Sequence, residues 1–254
     1  MGRRVAHEAV SLVGVDGCSA GWLAVSRSDG RLDWGVYDSL AAVVDDTDPD
    51  RLLLDIPVGL PTASRRSCDE RARDRLGSRA STVFYTPARS VLDADSHAAA
   101  SDANREATGY GLSIQAWHLV PKIRAVDAYL RRRPELVGVD GPAGDRTRDP
   151  DAAVVRESHP ELCFAGLNGG VPVSASKSEA AGRETRLDLL ADVLPESRIL
   201  YENVIEETYR KHVARDDVLD ALVLAGVADR PLESLPAEPP LDAAGLPMEI
   251  VHPA

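Results

Sequence analysis

Two short apolar runs, each with an aspartate at or near its carboxyl end, constrain the fold of this chain more than any other feature of its sequence. The first, SLVGVD, covers Ser11 to Asp16, and the second, RLLLDI, covers Arg51 to Ile56. Short apolar runs bounded by turn residues are typical of strands buried on both faces of a sheet. The sequence therefore predicts two buried strands that carry Asp16 and Asp55 at or near their carboxyl ends.

The remaining pattern alternates strands with helices, which is typical of an α/β fold. Asp29-Gly30 is a hairpin signal, so three antiparallel strands are expected to open the chain. Pro121 should kink a long helix in the middle of the chain. The other predicted elements are strands at Gly21 to Ser26, Leu32 to Tyr37 and Val154 to Ser158, and helices at Ser39 to Asp46, Ser67 to Leu76, Gly111 to Arg133, Ser178 to Val193, Tyr201 to Val213 and Asp216 to Asp229.

We expect a single domain over residues 1–230, with a polar, irregular insertion at about 60–110. Leu136 to Asp151 is predicted to be a loop. Residues 231–254 are predicted to be a Pro-rich, mostly mobile tail, although the final MEIVHP could add an edge strand. No apolar run approaches the roughly 20 residues needed to cross a bilayer, and MGRRVAHEAV lacks the apolar stretch of a signal peptide. The sequence thus predicts a cytoplasmic protein without a membrane partner.

The last predicted helix contributes a pair of carboxylates. In DDVLDALVLA, Asp217 and Asp220 lie three residues apart and so share one helical face, beside leucines and valines that would pack on the sheet. If this helix packs where Asp16 and Asp55 emerge, three or four carboxylates converge. Hard oxygen ligands of this kind suit Mg²⁺ or Mn²⁺. The alternative is that Asp216 and Asp217 only complement the dipole of the helix N-terminus.

Three further residues are candidates for the same site. Glu157 lies at the end of a predicted strand, where it could be another catalytic ligand. His159 could transfer protons, but a structural, hydrogen-bonded histidine is an equal alternative. Lys177, in Ser176-Lys177-Ser178 before a predicted helix, could position a phosphate together with helix amides, although Ser178 could be only the helix cap.

An arginine-rich segment runs from Pro61 to Ser90. It contains seven arginines against three acidic residues. Such a segment is either a solvated helix with many ion pairs or a phosphate-facing surface, and Arg71, Arg79 and Arg89 are its candidate phosphate-binding residues.

The overall charge points in the opposite direction. The formal net charge is −12, and only Lys122, Lys177 and Lys211 are lysines. This composition fits a high-salt cytoplasm, and it means that global charge cannot support nucleic-acid binding. Trp22 and Trp117 are expected to pack in the core rather than to stack on bases. The three cysteines are expected to be buried, reduced thiols; they are Cys18, Cys68 and Cys163.

With these residues in view, the chain resembles domain-of-unknown-function family 429, whose members are described as nucleases of RNase H fold. The resemblance covers Val13 to about Ala228 through the motifs GVDGCSAGWLAV, LDIPVGLP, RSCDERARDRLGSRASTVF, SIQAWHLVPKIRAVD, ESHPELCFAGLNGG and DDVLDALVLA. It implies a five-stranded mixed sheet flanked by helices. It also implies that Asp16, Asp55 and the Asp217/Asp220 pair lie like the acidic residues of RNase H-like enzymes. Lys177-Ser178 stands where the family usually has two lysines.

Three functions follow as hypotheses. The first is a nuclease that hydrolyses phosphodiester bonds of DNA or RNA with Mg²⁺ or Mn²⁺. The second is a non-catalytic nucleic-acid-binding protein of the same fold that uses the arginine-rich surface. The third is an actin-like phosphotransferase, since GVDGCSAGWLAV also resembles the phosphate-binding hairpin of that related fold and VGVDG occurs a second time from Val137. The oligomeric state does not follow from the sequence.

Overall fold

The structure is a computed structural model, and it describes residues 9–140 and 147–254. Its strands are β1 Leu12–Cys18, β2 Gly21–Ser28, β3 Arg31–Tyr37, β4 Arg51–Leu54, β5 Val139–Asp140, β6 Thr147–Arg148, β7 Val155–Glu157, β8 Leu232–Leu235 and β9 Ile250–Pro253. Its α-helices are α1 Leu40–Thr47, α2 Ser67–Leu76, α3 His97–Thr108, α4 Ile114–Leu130, α5 Pro160–Leu167, α6 Ala180–Ala191, α7 Ser197–Glu207 and α8 Arg215–Val227. Within these described residues, no helix is long and apolar enough to cross a membrane.

The central sheet has five strands in the order β3-β2-β1-β4-β7. The pairs β1·β2 and β2·β3 are antiparallel, while β1·β4 and β4·β7 are parallel. Asp29 and Gly30 both adopt positive φ, as a two-residue hairpin turn between β2 and β3 requires. The predicted mixed five-stranded sheet flanked by helices is confirmed, and its strand order is consistent with an RNase H-like fold.

Alternating residues of the buried strands pack into two separate cores. On β1, Leu12 contributes to a core that includes residues of α5, α6, α7 and α8, whereas Val13 and Val15 contribute to a core that includes residues of α1 and α4. Successive side chains of a strand point to opposite faces, so helices cover both faces of the sheet. Trp22 is buried in the second core and Trp117 packs against it, as expected.

The predicted insertion at about 60–110 contains more regular structure than the sequence suggested. Besides α2 it includes two 3₁₀ helices, Gly77–Thr82 and Arg89–Asp93, and the helix α3. The Ser96 hydroxyl accepts a hydrogen bond from the amide of Ala99 and caps α3. This cap stabilises a helix in a stretch whose polar composition favours a loop.

Two other predictions of irregular structure are also corrected. The predicted loop from Leu136 to Asp151 contains the short pair β5·β6, while residues 141–146 of that loop lie outside the described residues. The second VGVDG therefore contributes only the two-residue strand β5 within the described part of the chain. The Pro-rich tail is packed: β8 and β9 pair with each other, and Val251 forms a parallel bridge with Ser158 beyond the end of β7.

Helix boundaries near the sheet also differ from the prediction. A helix that the sequence did not reveal, α5, begins at Pro160, directly after β7. Proline is well suited to the first turn of a helix because its missing N–H has no intrahelical partner there. The predicted helix from Tyr201 to Val213 instead covers Ser197–Glu207. Pro121 lies inside α4.

Candidate metal centre

The parallel strands β1 and β4 place two aspartates side by side. Val15 pairs with Leu54 in the β1·β4 register. The amide of Asp55 then donates a hydrogen bond to the carbonyl of Val15 over 3.0 Å. Since the carboxyl ends of parallel strands meet at one edge of a sheet, Asp16 and Asp55 leave β1 and β4 at the same level.

The third aspartate reaches this edge because α8 packs unusually close to β1. A Cβ atom on Gly14 would lie 2.2 Å from the carbonyl oxygen of Ala221 and 2.3 Å from the amide nitrogen of Ala225. No side chain fits in that space, so the absence of one at Gly14 permits the close approach. The approach brings Asp220 of α8 towards the carboxyl end of β1.

Asp16, Asp55 and Asp220 form a carboxylate triad. One oxygen atom of each carboxylate lies within 4.8 Å of the corresponding atoms of the other two. Asp16 is 8% exposed and Asp220 is 3% exposed. One carboxylate oxygen of Asp220, Oδ1, is buried without a hydrogen-bond partner in the described structure. Buried polar atoms are rarely left without a partner, so this oxygen is available to a ligand that the triad would hold.

Burial and mutual repulsion disfavour ionisation of the triad. Burial raises the pKa of Asp55 to about 8, with a further contribution from the charge of Asp220. The pKa of Asp16 is raised well above its ordinary value by burial and then by Asp55 and Asp220. Three carboxylates this close would repel one another strongly if all were ionised, and a bound cation would relieve that repulsion.

Lys177 supplies one positive charge inside the site. Its ammonium group forms an ion pair with Asp220. Burial by itself lowers the pKa of Lys177, but Asp220 and the neighbouring aspartates outweigh that effect and raise it. The structure thus places this lysine as a counter-charge of the triad, and its role in positioning a phosphate stays a prediction.

Asp217 has a different role from Asp220. Its Oδ2 accepts a hydrogen bond from the amide of Ala214 over 2.8 Å, which caps the first turn of α8. Burial raises the pKa of Asp217 to about 6. Asp217 therefore caps the N-terminus of α8, where a role in complementing the helix dipole was the alternative considered from sequence, and only Asp220 of the pair joins the triad.

Glu157 lies at the same sheet edge but already has partners. Its carboxylate accepts two hydrogen bonds from Arg66, at 2.7 and 2.8 Å, and one from the amide of Val58 at 2.6 Å. Arg66 also pairs with Asp69, and all three charged residues are buried. Both oxygens of Glu157 accept hydrogen bonds from protein groups, so this residue stabilises the edge of the sheet and lies outside the group of three aspartates.

His159 and Asp55 line the same small cleft. Its Nε2 lies 3.3 Å from the carbonyl oxygen of Thr82, and its Nδ1 is buried without a hydrogen-bond partner among the described residues. Burial lowers the pKa of His159 to about 4. The imidazole is therefore neutral at physiological pH, with Nε2 donating to the carbonyl of Thr82 and Nδ1 able to accept a hydrogen bond.

The three arginines predicted to bind phosphate lie in different environments. Arg89 forms ion pairs with Asp127 and Asp242, which connect the insertion to α4 and to the C-terminal segment. Arg79 is half-buried, and its Nε has no partner within the described ranges. Arg71 is exposed on α2. Only Arg71 and Arg79 therefore remain available to an external phosphate.

Sequence reasoning missed one buried ion pair beneath the triad. Arg186 of α6 is fully buried and donates two hydrogen bonds, at 2.8 and 2.7 Å, to the carboxylate of Glu161 on α5. The charge of Glu161 contributes to the raised pKa of Asp55. No local signal marks Arg186, because its partner is 25 residues away in the chain.

The triad fits a hard divalent cation. It offers only oxygen atoms, its members are close enough to share a ligand, and one buried oxygen of Asp220 has no partner in the described structure. Carboxylate oxygens of this kind are the ligands that Mg²⁺ and Mn²⁺ prefer. Asp16, Asp55 and Asp220 are thus the residues that would hold such an ion.

Fold and site together define an α/β protein with an RNase H-like sheet and an acidic centre at the carboxyl ends of its parallel strands. The sequence model of a family described as Protein of unknown function (DUF429) matches residues 14–240, and the chain belongs to that family. No curated protein and no solved structure gives a significant match to the chain.

Proposed function

We propose that this protein is a divalent-metal-dependent enzyme that hydrolyses phosphodiester bonds of nucleic acid in the cytoplasm. The observation that carries the proposal is the triad of Asp16, Asp55 and Asp220, gathered at one sheet edge. A carboxylate cluster of this kind is a costly arrangement unless a cation offsets it. The three cysteines are buried and unpaired, which supports a reducing compartment.

The chemistry divides between the ion and the chain. A bound Mg²⁺ or Mn²⁺ would supply activated water and would neutralise charge on the phosphate. Asp16, Asp55 and Asp220 would hold and orient it, while the Lys177 ammonium offsets part of their negative charge. The neutral His159, which lines the same cleft as Asp55, offers a buried Nδ1 that could accept a hydrogen bond from the bound water or the substrate.

An exposed basic loop supports nucleic acid as the substrate. It consists of Tyr209, Arg210, Lys211 and His212, all exposed, with Tyr209 at 74%. The carbonyl of His212 accepts a hydrogen bond from the amide of Ala20, in the turn that follows β1. The loop therefore lies beside the strand that carries Asp16. Cationic and aromatic side chains beside an acidic centre suit a phosphate backbone, in spite of the net charge of −12.

The test is metal-dependent cleavage of labelled single-stranded, duplex, branched and RNA–DNA hybrid substrates. Wild type should cleave at least one class with Mn²⁺ or Mg²⁺, assayed at low and at multimolar KCl. Asp16→Asn and Asp220→Asn should lose at least about 100-fold in rate, because each removes a ligand charge. Asp192→Asn, an exposed aspartate at the end of α6, is the matched control and should retain full activity. Undiminished cleavage by Asp16→Asn would exclude this triad as the catalytic site.

A non-catalytic nucleic-acid-binding protein is the second candidate. The ion pair between Lys177 and Asp220 favours it, since the chain itself already offsets part of the charge of the triad. A manganese titration followed by melting temperature separates the two functions. A wild-type melting temperature that rises with Mn²⁺, with no such rise in Asp220→Asn, supports the enzyme. A wild-type melting temperature that does not change with Mn²⁺ supports the binding protein.

A further inference from the structure

A separate cavity of about 480 Å³ lies within the insertion, away from the carboxylates. Its walls come from α2, from residues 81–86 and from the segment that joins α3 to the start of α4. Two arginines, Arg65 and Arg73, line it, and among the described residues its lining contains no aspartate or glutamate. In a chain with 41 acidic residues, a cavity lined only by cationic and neutral side chains selects for an anionic ligand.

Arg65 is the clearest sign of a binding site. Its guanidinium carbon lies 3.5 Å from the ring centroid of Tyr85 and 3.6 Å from that of Tyr110. Within the described part of the chain, this guanidinium has no carboxylate partner and donates no hydrogen bond. Its neighbour Arg66, in contrast, is buried and bound to two carboxylates. Arg65 thus has its planar face fixed by aromatic rings and its N–H donors free for an anion.

Hydrogen bonds connect the elements that form the walls of the cavity. The Asn104 side chain accepts from the amide of Ala88 over 2.8 Å and donates to the carbonyl of Tyr110 over 2.9 Å. Arg73 donates to the carbonyls of Ala80 and Val83. These bonds fix two walls before any ligand arrives, as expected for a preformed binding pocket.

The aromatic surface indicates what kind of anion fits. Tyr110 is 52% exposed, and Phe84 and Tyr85 also line the cavity. Aromatic rings and arginine planes are the surfaces on which unpaired bases stack, while guanidinium groups bind phosphate oxygens in pairs. A nucleotide combines a flat base with a phosphate, and it therefore satisfies both parts of the cavity.

The cavity is also connected to the carboxylate site. Val83, Phe84 and Thr86 line both this cavity and the small cleft that contains Asp55 and His159. The amide of Thr86 donates to Asp69, which pairs with Arg66, which in turn pairs with Glu157 on β7. This chain of buried contacts fixes the shared wall relative to the sheet edge that carries the triad.

We infer that the cavity binds one nucleotide unit, with its phosphate at Arg65 and its base against the exposed part of the Tyr110 ring. The inference deepens the proposed function, and its link to cleavage rests on that function. It assigns to the enzyme a substrate that presents an unpaired nucleotide in the cavity whose wall is shared with the cleft of Asp55. The unit could be a free nucleoside monophosphate or part of a single strand, since both offer the same chemistry.

The test measures binding in the Asp16→Asn background with EDTA, so that turnover cannot affect the result. The ligands are nucleoside 5′-monophosphates, ribose 5-phosphate, inorganic phosphate and a labelled single-stranded oligonucleotide. Nucleoside monophosphates should bind at least about tenfold more tightly than ribose 5-phosphate, because only they carry a base that can stack. A comparable or higher affinity for the oligonucleotide would identify a strand as the source, and binding of the monophosphate alone would identify a free nucleotide.

Variants of the cavity provide the controls. Arg65→Met and Tyr110→Ala should each weaken nucleotide binding by about tenfold. Tyr110→Phe, which keeps the ring, and Arg132→Ala, an exposed arginine on another surface, should bind like the parent. Equal affinity for phosphate and nucleotide, or no effect of either cavity variant, would overturn the assignment.

The same variants without the Asp16 change distinguish failure of this inference from failure of the proposed function. If nucleotide binding depends on Arg65 but the wild type cleaves no substrate, the nucleotide site is supported and the proposed nuclease activity is rejected. If cleavage is unaffected by Arg65→Met and Tyr110→Ala, the proposed nuclease activity is supported and the nucleotide site is rejected.

Discussion

Replacing Asp55 by asparagine should stabilise the metal-free protein and abolish its response to metal. Burial, together with the charge of Asp220, raises the pKa of the Asp55 carboxyl from 3.8 to about 8. Between pH 3.8 and about 8, the folded protein therefore keeps a proton on Asp55 that the unfolded chain has lost. The stability of the folded state falls as pH rises through that range. Asparagine keeps the shape of the side chain and removes the ionisation that costs stability.

The size of the effect follows from the shift in pKa. One pKa unit corresponds to about 1.4 kcal/mol, so the displacement of Asp55 corresponds to about 4 kcal/mol at pH 7. Asp55 is half-buried, and screening by solvent reduces the gain to about 2 kcal/mol. For a chain of this length, we expect the melting temperature of Asp55→Asn in EDTA to exceed that of wild type by about 4–8 °C.

The assay is thermal unfolding of wild type, Asp55→Asn and the exposed control Asp192→Asn, in EDTA and in a series of MnCl₂ concentrations. Wild type and Asp192→Asn should melt at higher temperature as Mn²⁺ increases, because a ligand that binds only the folded state stabilises it. Asp55→Asn should start higher and respond little. A melting temperature in EDTA below that of wild type, or a manganese response equal to that of wild type, would refute the reasoning.

Three further predictions concern the same site. The melting temperature of metal-free wild type should fall as pH rises from about 5 to about 8, because burial raises the pKa of Asp55 to about 8 and of Asp217 to about 6; a rising profile would contradict this. Lys177→Met removes the counter-charge of Asp220, so it should lower the melting temperature in EDTA. It should also tighten Mn²⁺ binding about threefold to tenfold, as measured by calorimetric titration. Gly14→Ala should destabilise the fold by more than about 3 kcal/mol in urea unfolding, because its Cβ would overlap the backbone of α8; unfolding like that of wild type would show that α8 can move away from β1.

The sequence was sufficient to find Asp16 and Asp55, because the strands that carry them are marked by short apolar runs. It was not sufficient to choose between Asp217 and Asp220. The two residues share one helical face, but three positions of an α-helix correspond to about 4.5 Å along its axis. The position of α8 along β1 decides whether Asp217 or Asp220 reaches the other aspartates. That position depends on the close backbone contact at Gly14.

The charged residues of the insertion illustrate what a local pattern cannot decide. Arg65 and Arg66 are adjacent in sequence, yet Arg66 is bound to Glu157, 91 residues away, whereas Arg65 faces a cavity. The partner of an arginine is chosen by tertiary packing, so an arginine count cannot separate structural ion pairs from phosphate ligands. The packed C-terminal segment is a similar case, since Leu246 is fully buried and Asp242 accepts a hydrogen bond from the amide of Leu60.

An acidic surface and a nucleic-acid substrate are compatible if binding depends on sheltered contacts. At 1 M salt the Debye length is roughly 3 Å, and any affinity for nucleic acid that exposed cations such as Arg71 would add falls steeply as salt increases. Stacking on an aromatic ring is not screened in this way. A guanidinium held against Tyr85 and Tyr110 also keeps its geometry without any carboxylate partner. At high salt, we therefore expect the proposed nucleotide cavity at Arg65 and the carboxylate triad to determine which substrate is bound.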